Sequence, residues 1–137
     1  LLRFVEMEYA IPQENVSEAL LAIRDFIDDE GLRVSFPIEV RFVASDDIPL
    51  SMASGRASGF IAVHMARGTQ FDRYFHGVEA IMNKFSGRPH WGKMHYQTAT
   101  ALAPRYPQWE RFRALRHQMD PERYFSNDYL DRVLGEQ

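Results

Sequence analysis

The sequence has 137 residues, of which 45% are hydrophobic and 26% are charged, and its formal net charge is −3. These values are typical of one globular domain and give no general case for a nucleic-acid partner, while the lack of cysteine excludes disulfides and thiol chemistry. No apolar run approaches the roughly 20 residues that cross a bilayer and no signal peptide is visible, so we expect a cytoplasmic protein.

The first strand and the first helix have clear patterns. The alternation in FVEMEY, residues 4–9, predicts a strand with one buried face and with Glu6 and Glu8 on the other face. Pro12 then opens a helix whose apolar stripe continues to a stop at Gly31. Because the chain begins at Leu1 and almost directly in a strand, we expect it to be part of a longer polypeptide.

Two further strands and a second helix follow. FPIEVRFVA (36–44) and FIAVHMA (60–66) both alternate, and we expect them to pair antiparallel because they are adjacent in sequence. The apolar spacing over 70–85 predicts a second helix, which Gly87 ends.

The last third of the chain is predicted to be helical. A third helix begins near Pro107 and ends before Pro121, and a short terminal helix is capped by Ser126 or Asn127. This order of elements predicts an α+β fold, a small and mostly antiparallel sheet with helices packed on one face, in a single domain over 1–137.

Polar side chains on the predicted sheet raise the question of a site. Glu39 and Arg41 lie two apart on one strand, so they project in the same direction about 7 Å apart. They are either an exposed ion pair of little energetic value or a carboxylate and guanidinium directed at a polyol or acid substrate. His64 in the third strand is either a half-buried structural residue or part of the same cavity.

The stretch GRPHWGKMHYQT, residues 87–98, carries an unusual number of ionisable side chains for a loop. The spacing of His90 and His95 does not match that of a helical metal pair, and we predict no metal site. Trp91 is expected to fill a hydrophobic core. Lys93 follows a glycine and is a plausible contact for an anion or an electron-rich ring.

Four blocks of the sequence resemble a known family. FVEMEYAIP, IEVRF, GRPHWGK and DPERYFSNDYLDRVLG are similar, in the same order, to the C-terminal part of the aldonolactone oxidases. These flavoproteins of the vanillyl-alcohol-oxidase class include the gulonolactone and arabinonolactone oxidases or dehydrogenases and the alditol (xylitol) oxidases. The resemblance covers nearly the whole chain.

The resemblance implies a two-part enzyme. An N-terminal domain, absent from this chain, binds most of the FAD, and the C-terminal cap domain covers the isoalloxazine ring and supplies the wall of the substrate site. The implied partners are the FAD-binding domain of the same protein, a small sugar-derived substrate and, as a further expectation, a second copy in a homo-oligomer. In full-length form such a protein can also associate with a membrane.

The resemblance also assigns roles to individual residues. Glu39 and Arg41 match an E-x-R pair that contacts the reacting hydroxyl group. Lys93 matches the lysine near the flavin and the substrate, and His64 lies where a histidine points inward to the substrate. The cofactor-binding residues that it implies are His90, Lys93 and Asn127.

The implied chemistry is oxidation of a CH–OH group of an aldono-1,4-lactone by hydride transfer to flavin. Arg41 would stabilise a developing alkoxide, Glu39 would accept or orient the proton, and Lys93 would stabilise negative charge on the flavin. One alternative is an alditol or xylitol oxidase cap, which Ala66 disfavours because the alditol oxidases resemble each other in carrying threonine there. Another is a non-catalytic cap or dimerisation module, inert without its FAD-binding domain.

One departure from the pattern concerns local backbone geometry. The terminal block normally contains a glycine, which is replaced here by Arg123 or Tyr124. The replacement puts the local turn of this block in question and leaves the family resemblance intact.

Overall fold

The computed structural model describes residues 3–135, which form a four-stranded antiparallel sheet and five α-helices. The strands are β1 (Phe4–Pro12), β2 (Glu39–Val43), β3 (Ser58–Ala66) and β4 (Arg88–Pro89), and the helices are α1 (Val16–Asp29), α2 (Asp72–Lys84), α3 (Ala99–Leu102), α4 (Trp109–Met119) and α5 (Asp128–Leu134). The strand order is β2-β3-β1-β4, and every neighbouring pair is antiparallel. The predicted α+β class and the predicted pairing of β2 with β3 are confirmed.

The two faces of the sheet differ in character because side chains alternate along each strand. On β1, Met7 and Tyr9 are completely buried on the side that the helices cover. Glu6 and Glu8 point to the opposite face, where Glu6 pairs with His64 of β3. The predicted separation of apolar and polar faces is therefore confirmed.

Helices α1 and α2 cover the apolar face and form the main core with it. Their contact is close: a Cβ atom at Gly77 of α2 would overlap the ring of Phe26 in α1, so a larger residue there would have to displace that ring. The side chains of this core with no exposed area are Met7, Tyr9, Ile11, Ala19, Ile23, Phe75 and Met82.

A second apolar cluster joins the short C-terminal helices. Leu102, Tyr106 and Trp109 pack in it with Val133 and Leu134, and Trp91 packs against its edge. The ring centroids of Trp91 and Tyr106 are 5.3 Å apart. Trp91 thus fills the hydrophobic role that the sequence predicts for it.

The predicted start of the first helix at Pro12 is wrong. β1 continues to Pro12, which pairs with Ser58, and a 3-10 turn over Gln13–Asn15 leads into α1 at Val16. The strand extends because Ile11 is completely buried in the core. Strand β2 is shorter than predicted and begins at Glu39.

The last helix, α5, begins at one of the two N-cap residues that the sequence predicts. The Asn127 side chain accepts a hydrogen bond from the Leu130 N–H at 3.0 Å, so Asn127 is the N-cap of α5. Within residues 3–135, no helix combines the length and the apolar character that a membrane crossing requires.

Candidate active site

The polar face of the sheet brings together most of the predicted site residues around one carboxylate. Glu8 is 1% exposed, although it belongs to the face that the helices leave open. Its Oε1 accepts a hydrogen bond from Arg41 Nη2, and its Oε2 accepts one from Lys93 Nζ at 2.7 Å. Two cations from separate parts of the sequence are thus held on the same buried anion.

The ionisation of Glu8 follows from these contacts. Burial acts to raise its pKa, but hydrogen bonds and charge interactions with Lys93 and Arg41 outweigh burial and leave the pKa below its ordinary value. Glu8 is therefore ionised at neutral pH and anchors both cations.

Lys93 has a second carboxylate partner. Its Nζ also donates to Glu6 Oε1, and that oxygen lies 3.2 Å from His64 Nε2. Burial acts to lower the pKa of Lys93, but the two glutamates outweigh it and raise the pKa. The structure therefore links His64 to Lys93 through Glu6.

Glu39 and Arg41 form the exposed rim of this group. Arg41 Nε lies 3.1 Å from Glu39 Oε1, and the side chains are 53% and 51% exposed. A surface pair alone would contribute about 0–1 kcal/mol. Here the same guanidinium is also bound to Glu8, whose hydrogen bond raises the pKa of Arg41. Glu8 thus holds the pair on the side of the sheet, and the opposite side of the pair is open to solvent.

The loop after β4 delivers Lys93 because it follows the edge of β1. The N–H groups of His90 and Met94 donate to the carbonyls of Glu8 and Glu6, both at 2.9 Å. Between these two anchors the chain bulges, and the Lys93 N–H donates to the His90 carbonyl at 3.1 Å. This bulge returns the Lys93 side chain over the polar face.

An apolar cleft of about 440 Å³ opens beside these charges. Its lining includes Phe4, Phe36, Ile38, Glu39 and His64. The ring of His64 lies 5.4 Å from that of Phe4 and 6.0 Å from that of Phe36, centroid to centroid. The polar group therefore has a hydrophobic wall on one side.

A family model described as D-arabinono-1,4-lactone oxidase matches residues 1–133. The chain belongs to this aldonolactone oxidase family. The match confirms the family that the four sequence blocks indicate.

Characterised relatives agree with the assignment to the aldonolactone oxidase family. The chain is 57% identical over 134 residues to an L-gulono-1,4-lactone dehydrogenase of Mycobacterium tuberculosis, covering 98% of this chain and 31% of that protein. It is 39% identical over 132 residues to the L-gulonolactone oxidase of Bos taurus, covering 93% of this chain and 30% of that protein. An alditol oxidase of Streptomyces is 35% identical over 133 residues, which cover 95% of this chain and 31% of that protein. The chain therefore spans about a third of the length of these relatives.

The terminal block of the family has an unusual backbone in this chain. Arg123 has a positive φ of 59°, so it adopts the left-handed conformation that glycine adopts most easily. The adjacent N–H groups of Tyr124 and Phe125 donate to the Asp120 carboxylate, both at 2.8 Å, and the Arg123 side chain pairs with Asp131. Arg123, rather than Tyr124, therefore occupies the position with the conformation of a glycine, and side-chain contacts hold it there.

Two predicted cofactor residues of the family pattern have different surroundings. The His90 N–H donates to the Glu8 carbonyl, and its ring Nδ1 accepts the Gly92 N–H at 3.1 Å, which leaves Nε2 as the protonated nitrogen of the neutral ring. Asn127 uses its side-chain oxygen to cap α5. Within the described part of the chain, no hydrogen bond or ion pair joins Asn127 to the Glu8 group.

His95, the other histidine of the loop, belongs to the interior. It is 5% exposed, and its Nε2 lies 3.1 Å from the Tyr129 hydroxyl, which itself donates to the Trp91 carbonyl at 2.6 Å. Burial, assisted by the charge of Arg132, lowers the pKa of His95 to about 4. His95 is thus a neutral structural residue that connects the loop to α5.

Glu6 and Glu8 belong to the site, although the sequence pattern does not predict a site role for them. The alternation over residues 4–9 already places both on the polar face, opposite the core. What it does not show is that Arg41 and Lys93 are near them. Arg41 is a cation predicted for a sheet face, where it needs a counter-ion beyond the exposed Glu39, and that requirement was the available signal.

Proposed function

We propose that this chain forms the substrate-facing part of an FAD-dependent oxidoreductase that oxidises a CH–OH group of an aldono-1,4-lactone. The observation that carries the proposal is the buried Glu8 carboxylate, which fixes Arg41 and Lys93 on the same open face as Glu39. A carboxylate beside two cations on a rigid sheet is suited to holding a hydroxyl group and removing its proton.

Arg41 and Glu39 would act on the reacting hydroxyl group. FAD, when bound, supplies the hydride acceptor. Arg41 would donate to the substrate oxygen and stabilise the negative charge that develops as the proton leaves. Glu39 would accept that proton at Oε2, since its Oε1 is engaged by Arg41 Nε. Because Glu8 already holds the guanidinium, little reorganisation is needed during the reaction.

Lys93 and His90 fit the edge of a flavin ring. Lys93 is 19% exposed, and of its three ammonium N–H groups two are directed to Glu6 and Glu8, which leaves one for a ligand. His90, on the same loop, presents its Nε2–H. These two residues would contact FAD from the loop, and Asn127 stays a predicted cofactor contact from the terminal block.

The apolar cleft would receive the carbon skeleton of the substrate. Phe4 and Phe36 form its wall beside Glu39 and His64, so a ring whose hydroxyl faces Arg41 could place its C–H face against the aromatic side chains. We favour a lactone over an open-chain alditol because Ala66 offers no hydroxyl group at the end of β3.

The other components of the enzyme are part of the same proposal. The flavin would be bound mostly by an FAD-binding domain of the same protein, and the isolated 137-residue chain would be inactive. A flavin absorbance scan of the purified chain tests this directly. A yellow chain that turns over a lactone would contradict it.

Arg41→Ala in the intact protein tests the proposed chemistry. We expect turnover of an aldonolactone to fall by about a hundredfold to a thousandfold, because a donor to the developing oxyanion is lost. Arg41 is 53% exposed and Glu8 keeps Lys93, so the fold should persist, as measured by circular dichroism. Arg67→Ala, at an exposed position after β3, is the matched control and should keep full activity. Undiminished turnover in Arg41→Ala would remove the pair from the mechanism.

A further inference from the structure

Three arginines converge where the loop before β3, strand β4 and the turn after α3 meet. Arg88 is 4% exposed, and Arg56 and Arg105 are partly buried. Arg88 donates from Nε to the Arg105 carbonyl at 2.7 Å and from Nη1 to the carbonyls of Met52 and Ser54 at 3.2 and 2.7 Å. The most buried of the three is thus held by backbone carbonyls.

The other two arginines are held in the same way. Arg56 Nη2 donates to the carbonyls of Ala10 and Ser86, both at 3.0 Å, and Arg105 Nη1 donates to the Gly87 carbonyl at 2.5 Å. These bonds fix the positions of the guanidinium groups but do not neutralise their charges.

The described part of the chain places no carboxylate in direct contact with this group. Within residues 3–135, no carboxylate oxygen lies within 4.0 Å of Arg56, Arg88 or Arg105. Asp46 and Glu14 act on Arg88 and Arg56 only at longer range. Burial, together with repulsion from Arg88 and Arg105, lowers the pKa of Arg56 to about 10. The three charges repel one another at close quarters.

A structural role at the end of α2 explains only part of this arrangement. Ser86 and Gly87 follow α2, and their carbonyls, which Arg56 and Arg105 contact, lie at the negative end of the helix dipole. That end carries about half an elementary negative charge, against three positive charges on the arginines. About two and a half positive charges are left over.

The surplus charge faces a cleft of about 480 Å³. Its lining includes Arg56, Asn83, Ser86, Arg88 and Arg105. In the described part of the chain, Arg56 Nε and the hydroxyl of Tyr106, whose ring packs against Arg88, are buried without a hydrogen-bond partner. The Tyr106 ring lies below the Arg88 guanidinium, 5.1 Å from its centroid. Buried donors without acceptors are rare in folded proteins, and they show that the described part of the chain does not fully satisfy this group.

We propose that this cleft binds an oxyanion of the phosphate class, as free phosphate or as the phosphate group of an ester. A doubly charged oxyanion would neutralise most of the surplus, and its oxygens match the planar guanidinium fork in geometry. Asn83 and Ser86 add uncharged hydrogen-bonding groups. The site is distinct from the Glu8 group and does not depend on the proposed oxidation chemistry.

Isothermal titration of the intact protein with inorganic phosphate tests the site, with ionic strength held constant by sodium chloride. We expect saturable binding with a dissociation constant of about 1 mM or lower. Arg105→Gln should weaken it at least about tenfold, because one charged donor is lost. Arg56→Gln should act in the same direction. Methyl phosphate in place of phosphate distinguishes the two sources: equal or tighter binding assigns the cleft to phosphate esters, and weaker binding assigns it to free phosphate.

Arg33→Gln is the matched control, since Arg33 is an exposed arginine between α1 and β2. Its phosphate affinity and flavin content should equal those of the unsubstituted protein, and Arg105→Lys should recover part of the affinity that Arg105→Gln loses. The proposal is overturned if phosphate shows no saturable binding, if Arg105→Gln and Arg33→Gln bind it equally, or if sodium chloride alone reproduces the signal.

Discussion

Glu8 and Arg88 are buried charges of opposite sign on neighbouring strands, and the chain compensates them in different ways. Glu8 on β1 is 1% exposed and is paired with two cations, Arg41 and Lys93. Arg88 on β4 is 4% exposed and is surrounded by three carbonyls and the ring of Tyr106.

The two regions show that holding a charged side chain in place is a different matter from neutralising its charge. Around Glu8, ion pairs hold Arg41 and Lys93 in place and largely cancel the local field. Around Arg88, carbonyl dipoles solvate the cation but leave its net charge in place, so the field of the arginine group extends into its cleft. One arrangement is suited to orienting a neutral hydroxyl group, and the other to attracting an anion.

Arg88→Met removes the buried cation and should have the largest effect on stability. Three interior carbonyls would lose their donor, and we expect the free energy of unfolding to fall by about 3–5 kcal/mol in urea denaturation. Arg88→Lys should recover little of this, because one ammonium group cannot reach all three carbonyls. A loss below about 1 kcal/mol would show that relief of repulsion with Arg56 balances the missing bonds.

Glu8→Gln tests the buried anion with almost no change in volume. We expect a loss of about 2 kcal/mol in the free energy of unfolding, since one partner of two ion pairs is neutralised while Glu6 still holds Lys93. Turnover should fall by about tenfold to a hundredfold, because Arg41 is held less firmly. Glu14→Gln, at an exposed position before α1, is the control for stability and turnover. Unchanged turnover in Glu8→Gln would show that Arg41 does not need its anchor.

The smallest expected effect is on the pH dependence of the free energy of unfolding, to which Glu8 contributes and the arginine group does not. The folded pKa of Glu8 is lowered, so its stabilisation is complete above the ordinary value of 4.5 and is lost as the pH falls through the folded value. His95, with a folded pKa of about 4 against 6.5, removes stability as the pH falls through that interval. When the unfolding free energy of Glu8→Gln is subtracted from that of the unsubstituted protein, the His95 contribution cancels because both proteins share it.

The remaining difference in unfolding free energy should be constant above about pH 5 and shrink below pH 4.5. The arginine group, which has no carboxylate within 4.0 Å among residues 3–135, should add no slope there. Denaturation curves measured at several pH values check this, and a constant difference at all pH values would contradict the assignment of the lowered pKa to Glu8.

The sheet and its polar face could be predicted because alternation is a local property of the sequence. The pair Glu39 and Arg41 follows from a spacing of two on one strand. Their neighbour Glu8 could not be assigned, since β3 lies between β1 and β2 and strand order is not written in the pattern. Only the observed register places Glu8 and Glu39 on either side of Ala62.

Features that depend on tertiary contacts lay beyond the sequence. Strand β4 has two residues and α3 has four, too few for a periodic pattern. The arginine group joins positions 56, 88 and 105, which come from three separate segments. The direction of the Lys93 side chain depends on backbone hydrogen bonds between its loop and β1, and no pattern of residue types reports those.

The alternation along β1 also determines what happens when the strand shifts by one residue, as an insertion within it would cause. The same strand that buries Met7 and Tyr9 places Glu6 and Glu8 under the cations. A slip of one residue would drive both carboxylates into the apolar core and expose the large side chains to water. A shifted register of β1 is therefore strongly destabilised. When the core packs correctly, Glu6 and Glu8 are necessarily on the polar face. In this strand, folding and the assembly of the site are a single event.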